Sequence, residues 1–161
     1  MEVIKEVALI GTGGAVYADV LSKLLKEGLA VNAFVPNPER MMIENTALTA
    51  SFLDLDNVAK MTDLLGGYDN VVIAIEIDQT NHDNNEVVNR YYNTWLNEAV
   101  NAGVKRLVVI APHAAIAFAQ SHLKSTPDSL DWVLIPTDGD FARHTAKQLF
   151  EPSLHRTIRE I

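Results

Sequence analysis

Apolar residues recur along this chain in two alternating rhythms: short unbroken runs, and longer stretches with helical spacing. Residues 5–10 hold the run Val7-Ala8-Leu9-Ile10, which stops at Gly11, as expected of a strand buried on both faces. From Val16 to Glu27 the apolar positions Val16, Val20, Leu21, Leu24 and Leu25 follow the helical period, and Gly28 supplies the stop. Leu29 to Val35 predicts a second strand. Pro36-Asn37-Pro38 cuts it off, and a short helix is expected over Glu39 to Glu44. Ala47 to Leu53 predicts the third strand. Asp54 or Asp56 can cap a helix that runs to Leu65 and is closed by Gly66-Gly67.

Asn70 to Ile77 is the most strand-like run in the sequence. After a polar loop, a long helix is expected over about Asn84 to Asn101, ended by Gly103. Val104 to Ile110 reads as a fifth strand, Ala114 to Lys124 as a helix, Ser125-Thr126-Pro127-Asp128 as a turn, and Asp131 to Ile135 as a short sixth strand. Phe141 to Phe150 and Ser153 to Ile161 are expected to be helical, separated at Pro152. Strands and helices alternating at this rhythm make right-handed βαβ units. The expected architecture is therefore one doubly wound parallel sheet with helices on both faces, forming a single domain over residues 1–161.

Composition narrows the picture. A chain of 161 residues, 48% hydrophobic and 21% charged, can bury roughly 70% of its unfolded surface as one domain. No apolar run reaches the ~18–20 residues that span a bilayer, and Glu2, Lys5 and Glu6 interrupt any signal-peptide core, so a cytoplasmic protein without a membrane partner is expected. The absence of cysteine excludes disulfides, thiolate catalysis and cysteine-ligated metal. A net charge of −8 argues against a nucleic-acid partner, and it requires any phosphate ligand to be held by local geometry.

That geometry has one obvious candidate. Gly11-Thr12-Gly13-Gly14 joins the first strand to the first helix, which begins with Ala15 and Val16. Glycines there allow a tight turn and let a pyrophosphate approach the free N–H groups and positive dipole end of the helix. A dinucleotide, NAD or NADP without distinction, is the ligand such a turn serves.

Several phrases, in order and spanning nearly the whole chain, resemble the atypical short-chain dehydrogenase/reductase superfamily, in its flavin-reductase-like and NmrA-like branch. They are Val7–Val16, the segment Phe34-Val35-Pro36-Asn37-Pro38-Glu39-Arg40, Leu53–Val58, Gly67–Val72, Asn101–Ile110 and Leu130–Pro136. The resemblance implies a Rossmann sheet of order 3-2-1-4-5-6, with the dinucleotide lying across the C-terminal edge of the strands. It also implies a small oxidoreductase, possible use of a flavin as substrate, and a homodimer. By position, Gly11, Thr12, Gly13, Gly14, Ala15 and Val16 correspond to the pyrophosphate turn, and Asn37 and Arg40 to the adenosine ribose. Ser51 and Phe52 correspond to the adenine, while Ala74, Ile75, Glu76 and Ala111 correspond to the nicotinamide end.

The sequence departs from the family at several functional positions. The third glycine of the pattern is Tyr17, which must either point away from the phosphate or obstruct it. Pro36 replaces the arginine of NADP-using relatives, residues 31–37 contain no acid of the kind NAD-users carry, and Ser51 replaces an aspartate. All four tyrosines precede the fifth strand, so Phe118 and His122 stand where a catalytic tyrosine and lysine would be, and Ile135 replaces an arginine. The usual C-terminal substrate region is expected to be short or missing. His113, just after the fifth strand, is the best catalytic candidate, since an imidazole there can serve as acid, base or substrate ligand; opening the next helix is the plainer alternative.

Glu76 and Asp78 could do acid–base work or bind metal, or could be solvated loop acids. His82 with Asp83, and Asp138 with Asp140 and His144, lack any ligand spacing, so no metal is expected. Tyr91, Tyr92 and Trp95 suit either core packing or a helical dimer interface. Two readings stay open: an oxidoreductase passing hydride to a flavin- or quinone-like acceptor, and a non-catalytic dinucleotide sensor or interaction scaffold.

Overall fold

The computed structural model describes residues 6–11, 14–40, 45–53, 63–74, 84–111, 113–127, 130–137, 145 and 157–158; the side chains of residues 40, 84–92, 113–115 and 157–158 lie outside that description. Along the chain run β1 (Glu6–Gly11), α1 (Ala15–Lys26), β2 (Ala30–Val35), a 3-10 turn (Pro38–Arg40), β3 (Leu48–Phe52) and β4 (Asn70–Ala74). They are followed by α2 (Asn84–Asn101), β5 (Arg106–Ala111), α3 (His113–Lys124), β6 (Asp131–Pro136) and β7 (Thr157–Ile158). The sheet is parallel throughout, in the order β3-β2-β1-β4-β5-β6-β7.

The order expected for the first six strands is the order found. A seventh, two-residue strand is added where a helix over Ser153 to Ile161 is expected: Thr157 and Ile158 pair with Val133 and Leu134. Two consecutive β-branched residues favour extended backbone, and β6 would otherwise present its row of unpaired N–H and C=O groups as an edge. Of the helix expected over Phe141 to Phe150, only Thr145, fully buried, is among the described residues. The helix expected to end at Leu65 is described only over residues 63–65, which are helical.

Successive strand side chains point to opposite faces, so continuous apolar runs feed two separate cores. On one face Ile10, Ile73, Val109 and Leu134 meet Trp95, Leu96 and Ala99 of α2 and Ala119 and Leu123 of α3. On the other, Leu9, Val31, Val72 and Val108 join the cluster that contains Tyr17, Val20, Leu21 and Leu24 of α1. Both α1 and α2 end in the same way. Gly28 (φ 85°) and Gly103 (φ 78°) take the left-handed conformation, and the next residue's N–H reaches back five residues, Leu29 to Leu24 and Val104 to Ala99. Each strand thus restarts at a defined point.

Trp95 is wholly buried, which assigns it to the core; the side chains of Tyr91 and Tyr92 lie outside the described residues. Among the described residues no helix is long and apolar enough to cross a membrane, and no group of three or more His, Cys, Asp or Glu could hold a metal ion. Trp95→Ala is expected to cost roughly 3–5 kcal/mol by opening a cavity in the α2-facing core. Phe118→Ala, at a position 37% exposed, should cost about half as much or less, since part of its ring already lies in water. Urea denaturation of both variants would check the contrast.

Candidate active site

The chain leaves β1 for β2 on one side of the sheet centre and returns through β3 to β4 on the other. β1 and β4 are hydrogen-bonded neighbours, with Gly11 opposite Ala74 at their C-terminal ends. Crossovers leaving in opposite directions open a crevice at this edge, where open α/β sheets bind ligands.

Gly11 and Gly14 are glycines for different reasons. A Cβ built on Gly11 would collide with the backbone carbonyl of Ala74 and with the ring of Tyr17, so no side chain fits there. Gly14 is the N-cap of α1, in an ordinary extended conformation (φ −82°, ψ −163°), with its carbonyl accepting a 2.9 Å bond from the N–H of Ala18. No side chain caps this end and the first turn carries no acid. Ala15 is exposed and Val16 half-buried, so the first-turn amides open outward. Free N–H groups at the positive end of a twelve-residue helix suit an anion. These residues fit a dinucleotide pyrophosphate. Thr12 and Gly13 lie outside the described residues.

Tyr17 resolves the choice left open by the sequence. Its side chain turns inward, 1% exposed, and its hydroxyl donates a 2.8 Å bond to the carbonyl of Leu9 in β1. Burial pushes the phenol's pKa far up, against a smaller opposing effect from the Phe34 backbone, so it is neutral at any ordinary pH. The tyrosine fills the space between α1 and the sheet.

The other expected positions gather along the same edge. Ser51 and Phe52 end β3 opposite Phe34 and Val35, and the Phe52 ring is 64% exposed. An apolar ring left in water beside the strand ends offers a stacking platform. Asn37, exposed, and Arg40, in the 3-10 turn, follow β2; the Arg40 side chain is outside the description. Ala74 and Ala111 are buried at the ends of β4 and β5, and the Ala111 carbonyl accepts a 3.1 Å bond from the Thr137 N–H. Ile75, Glu76 and Asp78 lie outside the described residues. His113 is the first residue of α3, at the same edge, with its side chain undescribed.

Phe118 and His122 supply no replacement for the tyrosine–lysine pair. His122 Nε2 lies 3.0 Å from Asn97 Oδ1, tying α3 to α2. Nine residues into α3, it is about 13 Å along the helix from the strand ends. A further polar cluster, in which Asn32 Nδ2 donates to Glu6 Oε1 and to the Tyr68 hydroxyl, joins β1, β2 and the start of β4. Burial, with the Glu6 charge, raises the pKa of Tyr68.

Two outcomes follow from this geometry. Gly14→Leu should leave the melting temperature nearly unchanged, because φ −82° is open to any residue, yet abolish dinucleotide binding in calorimetric titration. Gly11→Ala should destabilise the fold by roughly 2–3 kcal/mol, because a backbone carbonyl cannot move aside. For pH, burial lowers the His122 pKa below its ordinary value, so the unfolded chain takes up the proton more readily. Stability should therefore fall as pH drops from about 7 through the ordinary histidine range. In His122→Gln that slope should be shallower, as measured by denaturation at pH 7.5, 6.5 and 5.5.

Comparison with known proteins identifies the family and the ligand class. Residues 11–135 match the family model described as NAD(P)H-binding. No functionally curated protein matches in sequence. Among solved structures, a putative epimerase from Bacteroides thetaiotaomicron superposes with a TM-score of 0.77 at 19% identity, covering 98% of this chain and 96% of the other. ChuY, an anaerobillin reductase from Escherichia coli O157:H7, gives 0.67 at 15% identity, covering 97% and 96%. The triphenylmethane reductase of Citrobacter sp., complexed with NADP(H), gives 0.75 at 12% identity, covering 97% and 69%. At these identities the structures establish a shared Rossmann fold, and the matched span carries the assignment: the chain belongs to the NAD(P)H-binding family.

Proposed function

We propose that this chain is a small NAD(P)H-dependent oxidoreductase that delivers hydride to a flavin- or quinone-like acceptor. The observation that carries the proposal is the start of α1: a helix end with no side-chain cap bond and no acid in its first turn, at the point where the sheet order reverses. A bound reduced nicotinamide supplies two electrons and a proton as hydride.

The chain's own residues bind and orient. Gly11 to Val16 hold the pyrophosphate, Asn37 and Arg40 the ribose, and Ser51 with Phe52 the adenine. By position, Ala74, Ile75, Glu76 and Ala111 are assigned to the nicotinamide end, at the C-terminal ends of β4 and β5. His113 opens α3 beside them as a proton donor or acceptor ligand. A conjugated acceptor needs little side-chain proton transfer, which suits a site where Phe118 and His122 stand in place of tyrosine and lysine. That two solved structures of the same fold are reductases supports the same direction.

We further propose that residues 1–161 act as one domain, in the cytoplasm, as a homodimer formed through α2 and α3. Over Asn93–Asn101 and Ile116–Leu123 the one carboxylate is Glu98, 9% exposed, and there is no lysine or arginine. Such charge depletion on a chain of net charge −8 suits a surface that meets its own copy. The alternative, a dinucleotide sensor without turnover, is favoured by the lack of a proton-donating pair on α3.

Thermal unfolding with NAD, NADH, NADP and NADPH tests the binding. A ligand at ~100 times its dissociation constant adds about 2.7 kcal/mol, which should raise the midpoint by roughly 5–10 °C. A shift followed by NAD(P)H oxidation with a flavin or quinone supports the enzyme. A shift without turnover across both acceptor classes supports the sensor, and no shift with any cofactor overturns both.

A further inference from the structure

Tyr17 occupies the position where this turn usually carries a third glycine, and the structure shows what it does there. The ring comes from the first turn of α1 and lies against Gly11, so closely that a Cβ on that glycine would sit within 2.8 Å of the ring's Cε2. Its hydroxyl continues past Gly11 to the Leu9 carbonyl, 2.8 Å away and eight residues back along the chain. The first turn of α1 is thereby tied to β1. One buried side chain clamps the two. Between Leu9 and Tyr17 lie Gly11 and Gly14, the latter with no side-chain cap of its own. The usual third glycine brings helix and strand together by being small. Here the same task falls to a large side chain with a directed hydrogen bond, and Gly11 is the space that admits it.

We propose that Tyr17 is a positioning residue for the pyrophosphate site, holding the first-turn amides of α1 against the end of β1 before the dinucleotide arrives. The inference rests on the dinucleotide reading of the site. Tyr17 touches no ligand; it lowers the conformational cost of binding by fixing the amides that receive the phosphate. Tyr17→Phe keeps the ring against Gly11 and removes the tie to Leu9, and Tyr17→Leu removes both the hydroxyl and the planar ring.

The test is calorimetric titration of wild type, Tyr17→Phe and Tyr17→Leu with NADPH and NADH at 10 °C, alongside amide hydrogen exchange without cofactor. Circular dichroism would first confirm that each variant is folded at that temperature. The expected result is a dissociation constant about 3–10 times higher for Tyr17→Phe and higher again for Tyr17→Leu. Exchange at residues 11–16 should be at least about threefold faster, and at β5 and α2 unchanged. If Tyr17→Phe binds with the wild-type constant, or if exchange quickens uniformly across the protein, the residue is only a stabiliser of the fold and the proposal is overturned. Wild-type protein that binds neither cofactor overturns the dinucleotide reading itself, an outcome visible before any variant is made.

Discussion

Everything at the working edge of this protein depends on how little space surrounds the end of β1. Gly11 has the Ala74 carbonyl on one side and the Tyr17 ring on the other, and neither position tolerates a carbon atom between them. β1 carries β2 on one flank and β4 on the other, so the two halves of the sheet are joined through this strand. A strand paired on both edges and buried on both faces cannot shift to relieve a clash. Gly11 is therefore fixed between two neighbours, and its place at the switch point is a consequence of the topology rather than of any one side chain.

The same constraint explains what could be read from the sequence. Strands buried on both faces leave unbroken apolar runs, and glycine-terminated helices leave sharp stops. Hence the six strands, the bounds of α2 and the ends of α1 and α2 at Gly28 and Gly103 are legible from the pattern, while the order of the strands in the sheet followed from the family resemblance. β7 is not, because two residues at a sheet edge carry no periodicity, and what selects them is the unpaired edge of β6. β3 is legible only in outline: Leu-Thr-Ala-Ser-Phe is half exposed along its length. For the site, the backbone positions at the strand ends follow directly from the sheet order. The direction of Tyr17 does not, because a tyrosine in the first turn of a helix can serve either solvent or core. The position of His122 beside Asn97 depends on how α2 and α3 pack, which no local pattern encodes.

The charge of the chain sets a second limit on how the site can work. At −8 overall, the long-range field repels a dinucleotide, but at physiological ionic strength that field decays over about 8 Å. Attraction must then come from groups in direct contact with the phosphates. The described part of the turn offers no cation, while the helix start supplies about half a positive charge through its amides and bears no acid to cancel it. Amides are effective only when they converge, and a loop built around glycines has no intrinsic reason to hold them so. A protein that binds phosphate without a lysine or arginine in the turn needs rigidity in its place. The role proposed for Tyr17, a large, buried, hydrogen-bonded side chain where the pattern has a glycine, would meet that need.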